Sequence, residues 1–560
     1  MARTRHLKRP PPPIRVTNYE VRCALGVLNR CSLLPVLQER MTAATGRPRA
    51  QTWKTHLCLW LLTVIRCPNR QHMSRTERIT RGLTPAQRRM IGVRGNAVPY
   101  SQIESAFEDL ARGFHPTVDK TTGEVHDARI PFTPTEFNSA IARAAIPECI
   151  PEPAEQALDS TDIETFACRR SWSKDGRPDL PDGSLEVDDK APKPRASETG
   201  WPRVGDDGRF IHTKDREARE GWRSERDGKL PVFNGFDLHL LVDATPWGEQ
   251  GYPPLIRALA LAPAGTLKSE PGLDAIRAAK SLGSRITCVL VDRGYSILTT
   301  DHWCGPLAEE AVEQVFTLHT NQRGQHPGPM SKTLVIDGGL FVDSVPPRLR
   351  ELPPHNAWAP KREQLELAAQ YDEREAFAFR STRRPDGANQ QYEGPARAGK
   401  VRCANNPESM RLSAATHPTT NCVRGEQCSC STRKTLGREY LRLRQRHRYG
   451  TTRWLADYGR RNSVESANSI FKVHEIGFTK NTVRVFGRLK HGLWAALAAA
   501  VINLHLVETG YGIEPCGQLP AGPIEPLLPV TPSKALHCKI GRRGPPPKDI
   551  NTLLTEPKTA

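Results

Sequence analysis

The 560-residue sequence lacks an apolar run long enough to cross a bilayer. Its longest, Leu493 to Ile502 (LWAALAAAVI), is followed by Asn503 and His505, whereas a spanning helix needs about 20 apolar residues. The run therefore reads as a buried helix, and no membrane partner is expected. The opening MARTRHLKRPPPP lacks a secretory apolar core, so the 14 cysteines are expected as reduced thiols in a cytoplasmic protein. No internal repeat is visible. Acidic residues are in deficit: 61 Asp and Glu against 80 Lys and Arg leave a formal charge of +19 and a pI near 9.5. That balance favours a polyanionic partner, nucleic acid first, because each cation that neutralises a phosphate releases counterions. A merely soluble basic protein has the same balance, so the distribution of charge must decide. With 38% hydrophobic residues, a chain of this length should hold several domains and at least one full-sized core.

Residues 1–150 read as a helical domain. Leu57, Leu61, Leu62 and Ile65 recur at helical spacing, and Arg75, Arg78, Arg81, Arg88 and Arg89 give a basic exterior. Ser74 with Glu77, Thr84 before Pro85, and Ser101 with Glu104 resemble helix caps. From Ala157 the pattern turns strand-like: ALDSTDIETF, Val232 to Ala244, and Pro254 to Ala264. A helix (LDAIRAAKSL), a strand (RITCVLVD) buried on both faces, and a fifth strand (QVFTLHT) follow. Three closely connected strands suggest antiparallel neighbours, and the later alternation suggests parallel ones. A mixed five-stranded sheet flanked by helices results, an order that fits the ribonuclease H-like fold. This domain spans 151–330 and 439–510. A polar insertion at 173–229 is too poor in apolar residues to order itself, an inserted subdomain occupies 331–438, and the Pro-rich basic tail at 511–560 is expected to be disordered.

In WLADYGRRNSVESANSIFK, about 100° of rotation per residue puts Tyr458, Arg461, Glu465 and Lys472 on one stripe, with Val464, Ala467 and Phe471 opposite, against the sheet. An ordinary amphipathic helix shows the same division. The spacing Tyr458-x2-Arg461-x3-Glu465-x6-Lys472, however, resembles the Y-R-E-K signature of a large family of bacterial insertion-sequence transposases with a DDE triad. Two further blocks of that family occur in its order: Asp159-Ser160-Thr161 on the first strand, and Asp292-Arg293-Gly294-Tyr295 after a buried strand. The resemblance covers the catalytic core from about Ala157 to Glu508, apart from the insertions.

The resemblance implies a transposase that binds terminal inverted repeats through its N-terminal domain, cuts double-stranded DNA at element ends and joins them to a target, as a homodimer pairing two ends. Asp159 would be the shared metal ligand, with Asp292 and Glu465 each completing one site, and Arg461 and Lys472 would hold DNA phosphates. Hard carboxylate oxygens suit Mg²⁺ or Mn²⁺, and two ions about 3.5–4 Å apart can clamp the attacking and leaving oxygens of a phosphodiester. Tyr458 would stack on a base or bond a phosphate. A transposase-derived DNA-binding protein without cleavage activity, and a non-specific nuclease of the same fold, are the alternatives. Asp162 and Asp243 are rival carboxylates; Asp237 and His239 read as structural.

Two weaker signals remain. Cys403, Cys422, Cys428 and Cys430 could form a structural Zn²⁺ site, yet only Cys428 and Cys430 are close in sequence, so unliganded cysteines fit the spacing as well. In RKTLGREYLRLRQRHRYG, Arg438, Arg442 and Arg446 at i, i+4, i+8 form a basic helical stripe suited to gripping DNA, with a solvated charged helix as the other reading.

Overall fold

The computed structural model describes residues 10–42, 49–119, 121–170, 202–223, 232–247, 249, 251–356, 359–382 and 386–527. Its centre is a mixed sheet. We number the strands β1 (Glu155–Glu164), β2 (Arg219–Trp222), β3 (Val232–Asp243), β4 (Ile256–Pro263), β5 (Cys288–Val291) and β6 (Glu313–Phe316). The order β6-β5-β1-β3 continues to an edge shared by β4 and β2, which pair with different stretches of β3. β3 runs antiparallel to β1, β2 and β4, and β5 and β6 run parallel to β1. Cys288–Val291 is buried throughout, as its unbroken apolar run requires for a strand covered on both faces.

The sheet has six strands among the described residues, where five were expected. The extra one, β2, comes from the polar insertion. Residues 202–223 are tied down by Asp207, which accepts from Arg219 at 2.9 Å, and by Arg209, which donates to the Ala264 carbonyl at 2.7 Å. Ion pairing and edge pairing thus replace the apolar burial the segment lacks; the remainder of the insertion, 173–201 and 224–229, lies outside the described residues. Similarly, the expected disordered tail begins as ordered chain. Ile524 N–H donates to Cys149 O at 2.9 Å and Leu527 N–H to Gly510 O at 2.8 Å, while 528–560 lie outside the described residues.

The N-terminal region is helical, with Asn18–Arg30, Trp53–Arg66, Met73–Gly82, Pro85–Ile91, Tyr100–Gly113 and Pro134–Arg143 among its helices. Thr84 caps Pro85–Ile91 in a capping box with Gln87. Ser74 and Ser101 do not cap: both lie inside the first turn, behind His72 and Pro99 as the boundary residues. These helices share one apolar core with the sheet and with the buried helix Arg488–Tyr511. That helix is long and apolar enough to cross a membrane, but 78% of its most apolar stretch is buried within the fold. Its Asn503 explains the fit: the side chain accepts from Ile256 N–H at 2.8 Å and donates to Ile256 O at 2.8 Å and Ala142 O at 2.9 Å, clamping three elements.

The inserted subdomain has its own apolar cluster, built from residues such as Ile336, Phe341, Phe379, Val401 and Leu436. Its described residues form two antiparallel three-stranded sheets, Thr333–Ile336 and Gly339–Val342 with Gln325–Pro327 from just ahead of the expected start at 331, and Arg380–Ser381, Gln390–Glu393 and Arg433–Leu436.

Candidate active site

The register of two parallel strands builds the first half of the site. β1 and β5 pair from Glu155↔Cys288 to Leu158↔Val291, so Asp159 and Asp292 are the next residues on adjacent strands. One ammonium reaches both carboxylates: Lys268 Nζ lies 3.7 Å from Asp159 Oδ1 and 3.5 Å from Asp292 Oδ2. Lys268 is the residue preceding the helix Ser269–Ser281. Asp292 caps the short helix Arg293–Ser296, its Oδ1 accepting from Gly294 N–H at 2.8 Å. Glycine leaves room there for the two charged groups: a Cβ would stand 2.9 Å from that oxygen and 3.2 Å from Lys268 Nζ, and both side chains would have to shift. Beneath them Tyr295 is buried, with its hydroxyl 2.9 Å from His239 Nδ1 and Lys268 Nζ 5.4 Å from its ring centroid, a cation–π distance.

Glu465 supplies the second half, from the helix Asn462–Ser469. Val464, Ala467 and Phe471 are fully buried behind it, as an amphipathic segment packed on a sheet demands. Arg461 closes the cluster: Nη1 lies 3.4 Å from Asp159 Oδ2, and Nη2 pairs with Glu465 Oε1. Asp159, Asp292 and Glu465 are therefore joined by two cations, although 306 positions separate the first from the last. Burial first, and then the negative charge of Asp292, push the Asp159 carboxyl pKa up, while Lys268 and Arg461 oppose the shift. Adjacent carboxylates that resist joint ionisation gain from a bound cation. The donor set is all hard oxygen, the ligand type Mg²⁺ and Mn²⁺ take, and Glu465 remains 52% exposed. The three carboxylates are held by Lys268 and Arg461, and among the described residues only the four cysteines of the subdomain converge closely enough to form a metal-ligand group.

The expected four-residue stripe is broken. The helix Thr452–Gly459 ends before Asn462–Ser469 begins, and Ile470–His474 turns as a π-helix. Wider π turns advance by less than 100° per residue, and Lys472 ends on Asp162, which also pairs with Arg223 at 2.7 Å. Tyr458 keeps its place near Arg461, whose guanidinium lies 5.7 Å from its ring, but is stacked on Trp454 at 4.8 Å between centroids. Of the rivals, Asp243 is committed to Arg257 in a buried pair at 2.7 Å. Asp237 accepts from Gly265 N–H at 2.9 Å, and His239 is held by Tyr295.

The basic helix expected at 438–446 does not form. Leu436 ends a paired strand and Gly437 interrupts the chain; Arg438–Leu443 is a 3₁₀ turn, and Arg446 lies beyond it. The cations are engaged by other parts of the chain: Arg438 pairs with Asp301 and Arg442 donates to Ile297 O at 2.7 Å, both at the surface, and the half-buried Arg446 pairs with Glu155 and with Glu313 at 2.9 Å. Tertiary pairing, with Gly437 as a breaker, outweighs the helical spacing. Lys268 is the residue that the sequence reading missed. It stands alone in a turn between strand and helix, with no motif or periodicity to mark it.

In the subdomain, Cys403, Cys422, Cys428 and Cys430 have sulfurs within 4.8 Å of one another, a group that could hold a metal ion. A cavity of about 750 Å³ lies elsewhere, between the subdomain and the start of β6, lined by residues that include Lys400, Arg444 and Arg448. Comparison of the chain with protein-family models, curated proteins and solved structures finds no match.

Proposed function

We propose that the protein is a DNA transposase of an insertion sequence, cutting element ends and transferring them to target DNA. The observation that carries this reading is the cluster itself: three carboxylates from two neighbouring strands and a facing helix, neutralised by Lys268 and Arg461. The strand order, with β4, β3 and β1 antiparallel and β5 and β6 parallel to β1, supports a ribonuclease H-like sheet. Asp159, Asp292 and Glu465 would hold Mg²⁺ or Mn²⁺, which supplies positive charge to the scissile phosphate and its leaving oxygen. Zn²⁺ at the four cysteines would serve structure, outside this chemistry. Arg461 orients Glu465 and holds charge beside Asp159, and Lys268 is placed to contact phosphate when a cation replaces it between the aspartates. The partners of this reading are double-stranded DNA, as element ends and target, and a second copy of the chain at paired ends, in the cytoplasm.

The test incubates the protein with labelled DNA from the borders of its gene and Mg²⁺, alongside Glu465→Gln. Strand-joined products that vanish in the variant are expected. Binding without cleavage by either protein would sink the reading in favour of a DNA-binding derivative. Cleavage of any DNA without joining would replace it with a general nuclease.

A further inference from the structure

The four subdomain cysteines come from three separate stretches of chain, yet their sulfurs converge. Cys403 Sγ lies 3.8 Å from Cys428 Sγ, and Cys422 Sγ lies 3.6 Å from Cys430 Sγ. A disulfide needs about 2.05 Å, so neither pair is bonded. Zinc–sulfur bonds of about 2.3 Å place the corners of a tetrahedron about 3.8 Å apart, the separation found here. The surrounding chain is arranged to hold thiolates. Asn405 Nδ2 donates to Val423 O at 3.0 Å, to Glu426 O at 2.9 Å and toward Cys428 Sγ at 3.5 Å, and Asn405 Oδ1 accepts from Gly425 N–H at 2.8 Å. One side chain thereby folds the 423–428 loop around the sulfurs.

The segment needs such a fastening. Between Gln390–Glu393 and Arg433–Leu436 its regular structure is one 3₁₀ turn, Ser409–Arg411, and a short stretch with few apolar residues gains stability from a metal cross-link. Soft thiolates select Zn²⁺ over the hard ions that suit carboxylates. The site also sits directly before a mechanical connection. Cys430 O accepts from Ala396 N–H at 2.9 Å, and the strand Arg433–Leu436 follows at once. From there the chain stays fastened to the subdomain helix Lys361–Glu375 through Arg448 on Glu375 at 2.8 Å and Thr452 N–H on Asp372 at 3.0 Å, and reaches the central sheet through Arg446 on Glu155, just before the Glu465 segment.

We propose that Cys403, Cys422, Cys428 and Cys430 bind one Zn²⁺ as a structural tetrathiolate. The ion closes residues 402–430 onto the subdomain and fixes the strand from which the chain returns to Glu465. The test uses the full chain, with elemental analysis and amide hydrogen exchange, and does not involve DNA or the carboxylates. About one zinc per chain is expected, retained in Cys168→Ser and lost in Cys422→Ser/Cys430→Ser. Stripping zinc from the wild type with a mercurial should speed exchange across 390–436 and leave β1 and β5 protected. Should the double variant fail to fold, Co²⁺ loaded into the stripped wild type must give thiolate-to-cobalt absorption. Zinc below about 0.2 per chain, unchanged zinc in the double variant, absent cobalt–thiolate absorption, or unaltered exchange after stripping would each overturn the proposal.

Discussion

Replacing Lys268 with methionine tests whether the carboxylate cluster is a cation site. The ammonium stands 3.7 Å from Asp159 and 3.5 Å from Asp292, so a divalent ion entering between them must displace it. At an effective dielectric constant of about 20, each contact of about 4 Å is worth about 4 kcal/mol. Lys268 is 32% exposed, however, and it retains partners in water, which reduces its net hold to about 1–2 kcal/mol. Methionine keeps the length of the stem and removes the competitor. Mn²⁺ should therefore bind Lys268→Met about 5–30-fold more tightly than the wild type, as read by titration calorimetry or by Mn²⁺ paramagnetic resonance. Without metal the variant leaves two carboxylates side by side, so its melting temperature should fall in chelator and rise further on adding Mn²⁺. If DNA phosphate meets Lys268, strand cleavage falls although metal binds better. Equal or weaker Mn²⁺ affinity in Lys268→Met would refute the reasoning, because the ammonium would then not occupy the cation's place.

Asp243→Ala should cost about 3–5 kcal/mol in urea unfolding, because Arg257 is 3% exposed and would be left as an unpaired buried charge; a loss under about 1 kcal/mol would contradict the burial. His56 and His239 should make the protein acid-sensitive. Burial, with Arg49 near the first and Lys268 near the second, pulls their pKa values down to about 4 and about 3. The folded state then binds fewer protons than the unfolded chain below about pH 6.5, so their stabilising contribution is complete above that pH and declines as the pH falls toward the folded values. Going from pH 7 to 5.5 should remove about 1.2 kcal/mol per group, and His56→Gln should abolish about half of that two-residue loss, with unfolding free energies at the two pH values deciding.

The parts of the site that sequence reveals are those set by burial period and strand order. Asp292 follows an apolar run, Cys288–Val291, that had to be a buried strand, Asp159 lies in the strand-like ALDSTDIETF, and parallel pairing places the two together. Val464, Ala467 and Phe471 likewise declare the face of Glu465. Lys472 was misplaced because a uniform rotation was carried through Gly459 and into a π turn, where backbone geometry changes without a compositional sign. Arg438, Arg442 and Arg446 were misread because their partners Asp301, Ile297 and Glu155 are distant in sequence. The cysteine spacing looked unsuitable for the same reason: Cys403 is brought to Cys428 by loop contacts rather than by a short local turn. Asp207 and Arg219 show that a segment poor in apolar residues can still order when edge pairing and charge act together.

The shared core also determines when the protein can fold. Trp60 packs edge-on against Phe107 at 4.9 Å, and Phe107 lies 5.8 Å from Trp494. At about 5–20 residues per second, a ribosome needs about 20–90 s to travel from the first of these residues to the last. During that interval the N-terminal helices can pack on one another and on β4 but lack the helix Arg488–Tyr511, and Asn503 has not emerged to clamp Ala142 and Ile256. A product truncated before Arg488 would therefore expose the apolar side of its first third, and the cluster at Asp159 would rest on a sheet lacking one of its covering helices.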